Sequence, residues 1–160
     1  MYHGKFGVKY LDPKYALTKG SEHAAAYDLK ARTIQHWLAP GERQVIPTGV
    51  FLELPEGFHA LVLPRSGNAA KKGLSVLNAP GLIDSDYRGE IGVILINLGK
   101  ESVWIQDGDA IAQLLIQPTL QVPLTEITEL SETDRGAKGF GSSGVVGEIV
   151  CPVIPPKESE

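Results

Sequence analysis

The chain holds a single cysteine, Cys151, so no intrachain disulfide framework can staple it. No apolar run approaches the ~20 residues that span a bilayer, and the opening MYHGKFGVKYL lacks the apolar core of a signal peptide. Basic residues are also scarce: 15 Lys and Arg against 19 Asp and Glu leave a net charge of −4. That balance lacks the basic footprint that a nucleic-acid polymer requires, although a few converging cations would still hold a small polyanion. The four histidines are scattered, without the spacing of a protein-only metal site. These absences predict a soluble, cytoplasmic protein with no membrane and no nucleic-acid polymer as partner.

What the chain has in plenty is turn formers, with 18 Gly and 11 Pro spread along 160 residues. Many short strands suit such a pattern better than long helices do. The length predicts one domain with a sizeable core. FGVKYL (6–11) reads as a first strand, broken by Asp12-Pro13. AAAYDLKAR (24–32) reads as a strand with a solvent-facing Asp28. Further strands are predicted at Gln44 to Ile46, Gly49 to Leu54, Phe58 to Leu63, Val103 to Ile105 and Ile111 to Gln117. Pro118 and Pro123 would interrupt a ladder, so 118–130 reads as irregular strand at a sheet edge. No internal repeat is present. The rhythm is that of an antiparallel sandwich or barrel.

NAPGLIDSDYRGEIGVILIN (78–97) is the most informative stretch. Turn chemistry opens it, an apolar run closes it, and Asp84, Asp86, Tyr87, Arg88 and Glu90 crowd the middle. Unpaired charge is costly inside a packed sheet. Asp84 and Tyr87 would face opposite ways in a straight strand, so a turn near Ser85-Asp86 is expected, making a hairpin with both at one mouth. It is either a charged surface turn or a site.

SGNAAKKG (66–73) is the one helix candidate, with Ser66 as a possible cap and Gly73 as a left-handed terminator. Beside Arg65 its free amides make either a structural cap or an anion site. In IAQLLIQ, Gln113 is the single interior polar residue, and a buried amide needs partners. DRGAKGFGSSG (134–144) has no core pattern. Its glycines and serines suit a flexible linker, while Arg135, Phe140 and the hydroxyls suit an arm closing over a phosphate compound. VVGEIVCPVIPP (145–156) turns apolar again.

Together these pieces resemble the trimeric dUTP pyrophosphatase (dUTPase) family, whose five motifs appear in order. AAYDLKA around Asp28 looks like the first and PRSGNA from Pro64 like the second. NAPGLIDSDYRGEI is similar to the third, GDAIAQLLI from Gly108 to the fourth, and RGAKGFGSSG from Arg135 to the glycine-rich fifth. The likeness runs from Ala25 to Gly144, and the third and fifth motifs are long and specific.

The resemblance implies an all-β, jelly-roll/β-clip homotrimer with one short helix and sites shared between chains. It implies a domain at 1–133, an arm at 134–144 and an extra tail at 145–160. The implied activity is Mg²⁺-dependent hydrolysis of dUTP to dUMP and pyrophosphate, which keeps uracil out of DNA and supplies dUMP for dTMP synthesis. Asp84 would be the general base toward water at the α-phosphorus, within hydrogen-bond reach of it. Arg65 would orient Asp84 or neutralise phosphate charge, and Ser66, Gly67 and Gln113 would bind phosphate oxygens. Tyr87 would pack on the deoxyribose and exclude a 2′-hydroxyl. The main chain from Asn78 through Gly81 and Ile83 to Tyr87 would read uracil. Arg135, Gly141, Ser142 and Ser143 would clamp the γ-phosphate and Phe140 would stack on the base. Magnesium would be held mainly by the triphosphate, with waters linked to Asp28.

The chain departs from the family pattern in places. Ala26 stands where the first motif usually has glycine, Lys138 where the arm often has glycine, and the chain runs on past Gly144. The related dCTP deaminases resemble it less, because Ile94 and Ala70 stand where they carry a glutamate and an arginine. A nucleotide-binding trimer acting through a partner surface is the rival from another class.

Overall fold

A computed structural model describes residues 5–138. The apolar runs set between Pro and Gly turns become strand after strand. β1 spans Gly7–Tyr10, β2 Tyr27–Lys30, β3 His36–Leu38, β4 Arg43–Pro47, β5 Val50–Glu53 and β6 Phe58–Leu63. The helix α1 (Ser66–Lys72) follows, then β7 Leu74–Val76, β8 Gly81–Ile83, β9 Gly92–Asn97, β10 Val103–Ile105 and β11 Ala110–Pro118. An all-β fold with one short helix is what the sequence predicts.

Four antiparallel sheets result, with orders β1-β5, β3-β10, β2-β11-β6-β8 and β4-β9-β7. In β6 and β9 alternate residues point inward, so Ala60 and Val62, and Val93, Leu95 and Asn97, are buried. Leu29, Leu38, Ile46, Ile91, Leu95, Ile105 and Leu114 are fully buried and join strands from three of the sheets in one core. Each such side chain contributes about 1.5–3 kcal/mol on leaving water.

Four expectations need correction. The turn at Ser85-Asp86 forms, closed by Tyr87 N donating to the Asp84 carbonyl at 3.2 Å. It does not join a hairpin, because β8 pairs with β6 while β9 pairs with β4 and β7. β9 buries Val93 and Leu95 in the core between β4 and β7, and that overrides local pairing with β8. Asp28 does not face solvent: its side chain is 16% exposed and ion-paired with Arg65. Ser66 is the first helical residue, while Arg65 occupies the N-cap position without a side-chain cap bond. Beyond Pro118 the described residues contain no strand, so 119–130 is irregular throughout. Gly73 does terminate α1 in the left-handed region, with φ 70°. A side chain there would also collide with the Gly99 backbone.

The described chain divides into two units between Val122 and Pro123. In the second, Thr133 to Lys138 form a turn, closed by Gly136 N and Lys138 N donating to the Thr133 and Arg135 carbonyls. Leu120, Val122, Leu124, Ile127 and Leu130 are exposed along the approach and within this segment.

Asn97 is a fully buried polar side chain. Its Nδ2 donates to the carbonyls of Leu38 and Glu101, each at 2.8 Å, and its Oδ1 accepts from Gly99 N at 2.8 Å. It thereby ties β3, β9 and the turn after β9 together. Asn97→Leu strands all three backbone groups and should cost about 3 kcal/mol or more, since one buried unsatisfied group costs about 1–3 kcal/mol. Urea unfolding of the variant at matched protein concentration measures this.

Candidate active site

Two groups of the expected side chains form, at different ends of the β2-β11-β6-β8 sheet. The first surrounds the turn after β8. Asp84, Tyr87, Leu82, Ile83, Ile91 and Gly92 line a pocket of about 220 Å³. Asp84 is exposed, so its carboxylate is open to water, and Tyr87 is 45% exposed at the same mouth. The turn brings together what a straight strand would have separated. Tyr87 Oη donates to the Glu90 carbonyl at 3.0 Å, and Arg88 Nη1 donates to the carbonyls of Ser85 (2.6 Å) and Tyr87 (3.0 Å). On the approach to β8, a Cβ at Gly81 would lie 3.2 Å from Asn78 Nδ2. Glycine thus lets the Asn78 amide lie close to the β8 main chain.

The second group sits where β2, β11 and β6 run side by side. Gln113 lies opposite Asp28 on one side and opposite Leu63 on the other. Directly opposed residues share a face, so Asp28 and Gln113 stand together with Arg65, two residues beyond Leu63. Arg65 Nε contacts Asp28 Oδ1 at 3.1 Å, and Nη2 reaches Oδ2 at 3.5 Å. Arg65 Nη1 and Asn68 Nδ2 both donate to the Ala110 carbonyl, at 3.1 and 3.0 Å. That carbonyl lies at a register shift between Ala110 and Ala112 in the β11–β2 ladder, a bulge of the kind that re-aims a chain near sites. Ser66 and Gly67 begin α1 and are exposed, and a Cβ at Gly67 would meet nothing within 4 Å. The chain's own packing therefore does not demand glycine at that position.

The strand register separates the two groups. Ala60 lies opposite Ile83 and Val62 opposite Gly81. Asp84 therefore follows from the Phe58 end of β6, and Arg65 from the Leu63 end. Six residues at ~3.3 Å each put them roughly 20 Å apart, beyond the reach of an arginine. Within one chain Arg65 contacts Asp28 and not Asp84, so an Arg65 that orients Asp84 would have to come from another copy. A charge-bearing residue alone does not reveal which end of a strand it occupies.

Arg135 lies in the second unit, where its Nε donates to the Lys138 carbonyl at 3.1 Å. Phe140, Gly141, Ser142 and Ser143 lie outside the described residues. Among the described residues no cluster of three or more His, Cys, Asp or Glu is arranged to hold a metal.

The family model for dUTPase matches residues 12–144. The chain belongs to the dUTPase family. It is 53% identical over 128 residues to the deoxyuridine 5′-triphosphate nucleotidohydrolase of Rhizobium etli, covering 78% of this chain and 82% of that protein. The same enzyme of Rhizobium rhizogenes is 53% identical over 131 residues, with 80% and 82% covered. A single-substitution mutant of the Staphylococcus bacteriophage 80alpha dUTPase with dUpNHpp superposes with a TM-score of 0.79 at 29% identity, over 88% of this chain and 99% of that one. A single-substitution mutant of the dUTPase from S. aureus phage phi11, described with a structural Mg(II) ion, gives a TM-score of 0.71 at 25% identity, over 79% and 98%. The chain is thus a hydrolase of nucleotide metabolism with the all-β dUTPase fold. No helix among the described residues is long and apolar enough to cross a membrane.

Three residues that sequence reasoning gave no role hold the two groups in place. Asn68 shares the Ala110 carbonyl with Arg65. Arg32 binds Glu90 in a two-pronged pair, Nε to Oε1 and Nη2 to Oε2, each at 2.9 Å, while Gly49 N donates to Oε1 at 2.6 Å. Arg32 and Glu90 are 58 residues apart and carried no signal beyond opposite charge.

The Arg32 guanidinium holds the Glu90 carboxyl below its ordinary range, with the Gly49 amide adding to it, against burial that pushes it upward. A second carboxylate, Asp107, is lowered by Lys14 Nζ at 2.7 Å and by Tyr15 Oη at 2.7 Å. Groups with depressed folded values contribute stability that is complete above their ordinary values, 4.5 for Glu90 and 3.8 for Asp107. It disappears as pH falls through the lower folded values. Thermal midpoints should therefore hold steady from neutrality down to about the ordinary carboxylate range, then fall. Arg32→Met should flatten that acid-side fall, and differential scanning calorimetry across pH measures it.

Proposed function

We propose that this chain hydrolyses dUTP to dUMP and pyrophosphate as a cytoplasmic homotrimer with sites shared between copies, limiting uracil in DNA and supplying dUMP for dTMP synthesis. The observation that carries this is the division of the site residues. A solvent-open carboxylate beside an aromatic ring stands roughly 20 Å along β6 from the Asp28–Arg65–Gln113 group of the same chain, so one pocket needs two copies. The exposed apolar residues from Leu120 to Leu130 supply surface for such an assembly. Relatives named as dUTP nucleotidohydrolases, and neighbours holding dUpNHpp, support the substrate.

In this reading Asp84 accepts a proton from water attacking the α-phosphorus, and pyrophosphate leaves from the opposite side. Arg65, Ser66, Gly67 and Gln113 of a neighbouring copy hold phosphate oxygens and offset the charge that builds there. Uracil lies along the main chain from Asn78 through Gly81 and Ile83 to Tyr87, in a slot too narrow for the thymine methyl. Tyr87 covers the sugar and leaves no room for a 2′-hydroxyl. Arg135, Gly141, Ser142 and Ser143 grip the γ-phosphate while Phe140 closes over the base, excluding water and strengthening the charge interactions inside.

A magnesium ion suits the donor set, because magnesium keeps water ligands and needs few carboxylates. Asp28 offers one such carboxylate, whose Oδ2 has only a long 3.5 Å contact to Arg65. Asp28 would orient the ion's waters, and the bound ion would neutralise triphosphate charge. Deamination of dCTP is disfavoured, since β9 presents Ile94 opposite Val45 in place of a carboxylate.

Asp84→Asn should keep dUTP binding and the assembly while lowering kcat by about 100-fold or more, the range for losing a general base. Pyrophosphate release, assayed with dUTP beside dCTP and UTP, checks both the residue and the substrate. Unchanged turnover in the variant removes Asp84 from the chemistry, and ammonia from dCTP replaces the reading altogether.

A further inference from the structure

Tyr87 is held from two sides. Its hydroxyl donates to the Glu90 carbonyl at 3.0 Å. Its ring folds so closely over Gly89 that a Cβ there would lie 2.5 Å from Cζ and 2.9 Å from Cε2. Real Cβ contacts do not come so near, so any side chain at position 89 must lift the ring. The Gly89 requirement comes from Tyr87 itself, because no positive φ is recorded at this glycine.

The carbonyl on which the hydroxyl rests is itself anchored. Glu90 is bound through its carboxylate to Arg32 by two hydrogen bonds and to Gly49 N by a third. The following residue is pinned by Ile91 N donating to the Val50 carbonyl at 2.9 Å and by Thr48 Oγ1 donating to the Ile91 carbonyl at 2.7 Å. The chain from 90 to 91 is thus tied to the stretch from Thr48 to Val50 on one side and to the end of the β2 segment on the other. Between these anchors Tyr87 has one resting height above the pocket it lines with Asp84 and Ile83.

From this we infer that Gly89, Glu90 and Arg32 are positioning residues for sugar discrimination: they set the height of the Tyr87 ring and so decide whether a 2′-hydroxyl fits. The inference rests on the dUTP reading above and deepens it. A displaced ring opens space on the sugar side without touching the uracil slot or the phosphate-binding group. Loss should therefore show as relaxed choice between dUTP and UTP rather than as a general loss of rate. Selectivity based on one group's fit in a pocket is sensitive to small displacements, at about 10-fold or more per misfit.

The test compares kcat/KM for dUTP and UTP, each with Mg²⁺, in wild type, Gly89→Ala and Arg32→Met. The dUTP-to-UTP ratio should fall by about 10-fold or more in Gly89→Ala, and in the same direction but less in Arg32→Met, where Gly49 N still holds Glu90. A merely structural role would lower both kcat/KM values together and leave their ratio at the wild-type value. Should Gly89→Ala not fold, Arg32→Met decides alone. A selective wild type whose variants keep the full ratio overturns this inference and leaves the dUTP reading standing. A wild type that does not prefer dUTP overturns both.

Discussion

A six-residue strand with its two ends pointing at different business governs this molecule. β6 delivers Arg65 and α1 from its C-terminal end. Its pairing with β8 puts Asp84 off the other end. A fully extended strand is stiff and cannot fold its ends together, and β11 on its other edge locks the register over six residue pairs. The Asp28–Arg65–Gln113 group and Asp84 therefore sit apart within the chain, and a single site that uses them all would draw on more than one copy. The same strand keeps its inner face, Ala60 and Val62, in the core, so the separation is bound up with folding itself.

Around this frame the charged groups act more as locators than as sources of stability. Arg32 remains over a third exposed in its pair with Glu90, where solvent screening leaves an ion pair little net energy. What the pair does supply is a fixed carbonyl under Tyr87. Arg65 bridges Asp28 and the Ala110 carbonyl, and Asn68 adds a second donor to that carbonyl. The start of α1 is thereby held to the bulged end of β11 and to β2 together. Stability lies instead in the apolar core and in fully buried polar links such as Asn97, whose loss would leave backbone groups stranded.

Much of this was legible in the residues, and the failures have physical causes. Apolar runs beside turn formers located β6 and β9, and glycine's tolerance of positive φ located the end of α1. The turn at Ser85-Asp86 was readable because charge and turn formers interrupt an apolar stretch. Its neighbours were misassigned as a hairpin because local sequence does not encode which sheet a strand joins. That choice is made by burial of Val93 and Leu95 against distant strands. Asp28 looked solvent-facing because its partner, Arg65, is 37 residues away. The five motifs point to candidate site residues, but not to their division into two groups within one chain. Only the β6–β8 register reveals that.

The sharing of one site by separate copies is the central claim, and subunit mixing tests it most directly. Asp84→Asn and Arg65→Ala protein, each nearly inactive alone, are co-refolded in equal amounts and assayed for pyrophosphate release from dUTP. Random assembly should restore activity to about a quarter of wild type, because a site then draws Asp84 from one copy and Arg65 from another. A mixture no more active than its two parents would mean that each chain builds its site alone.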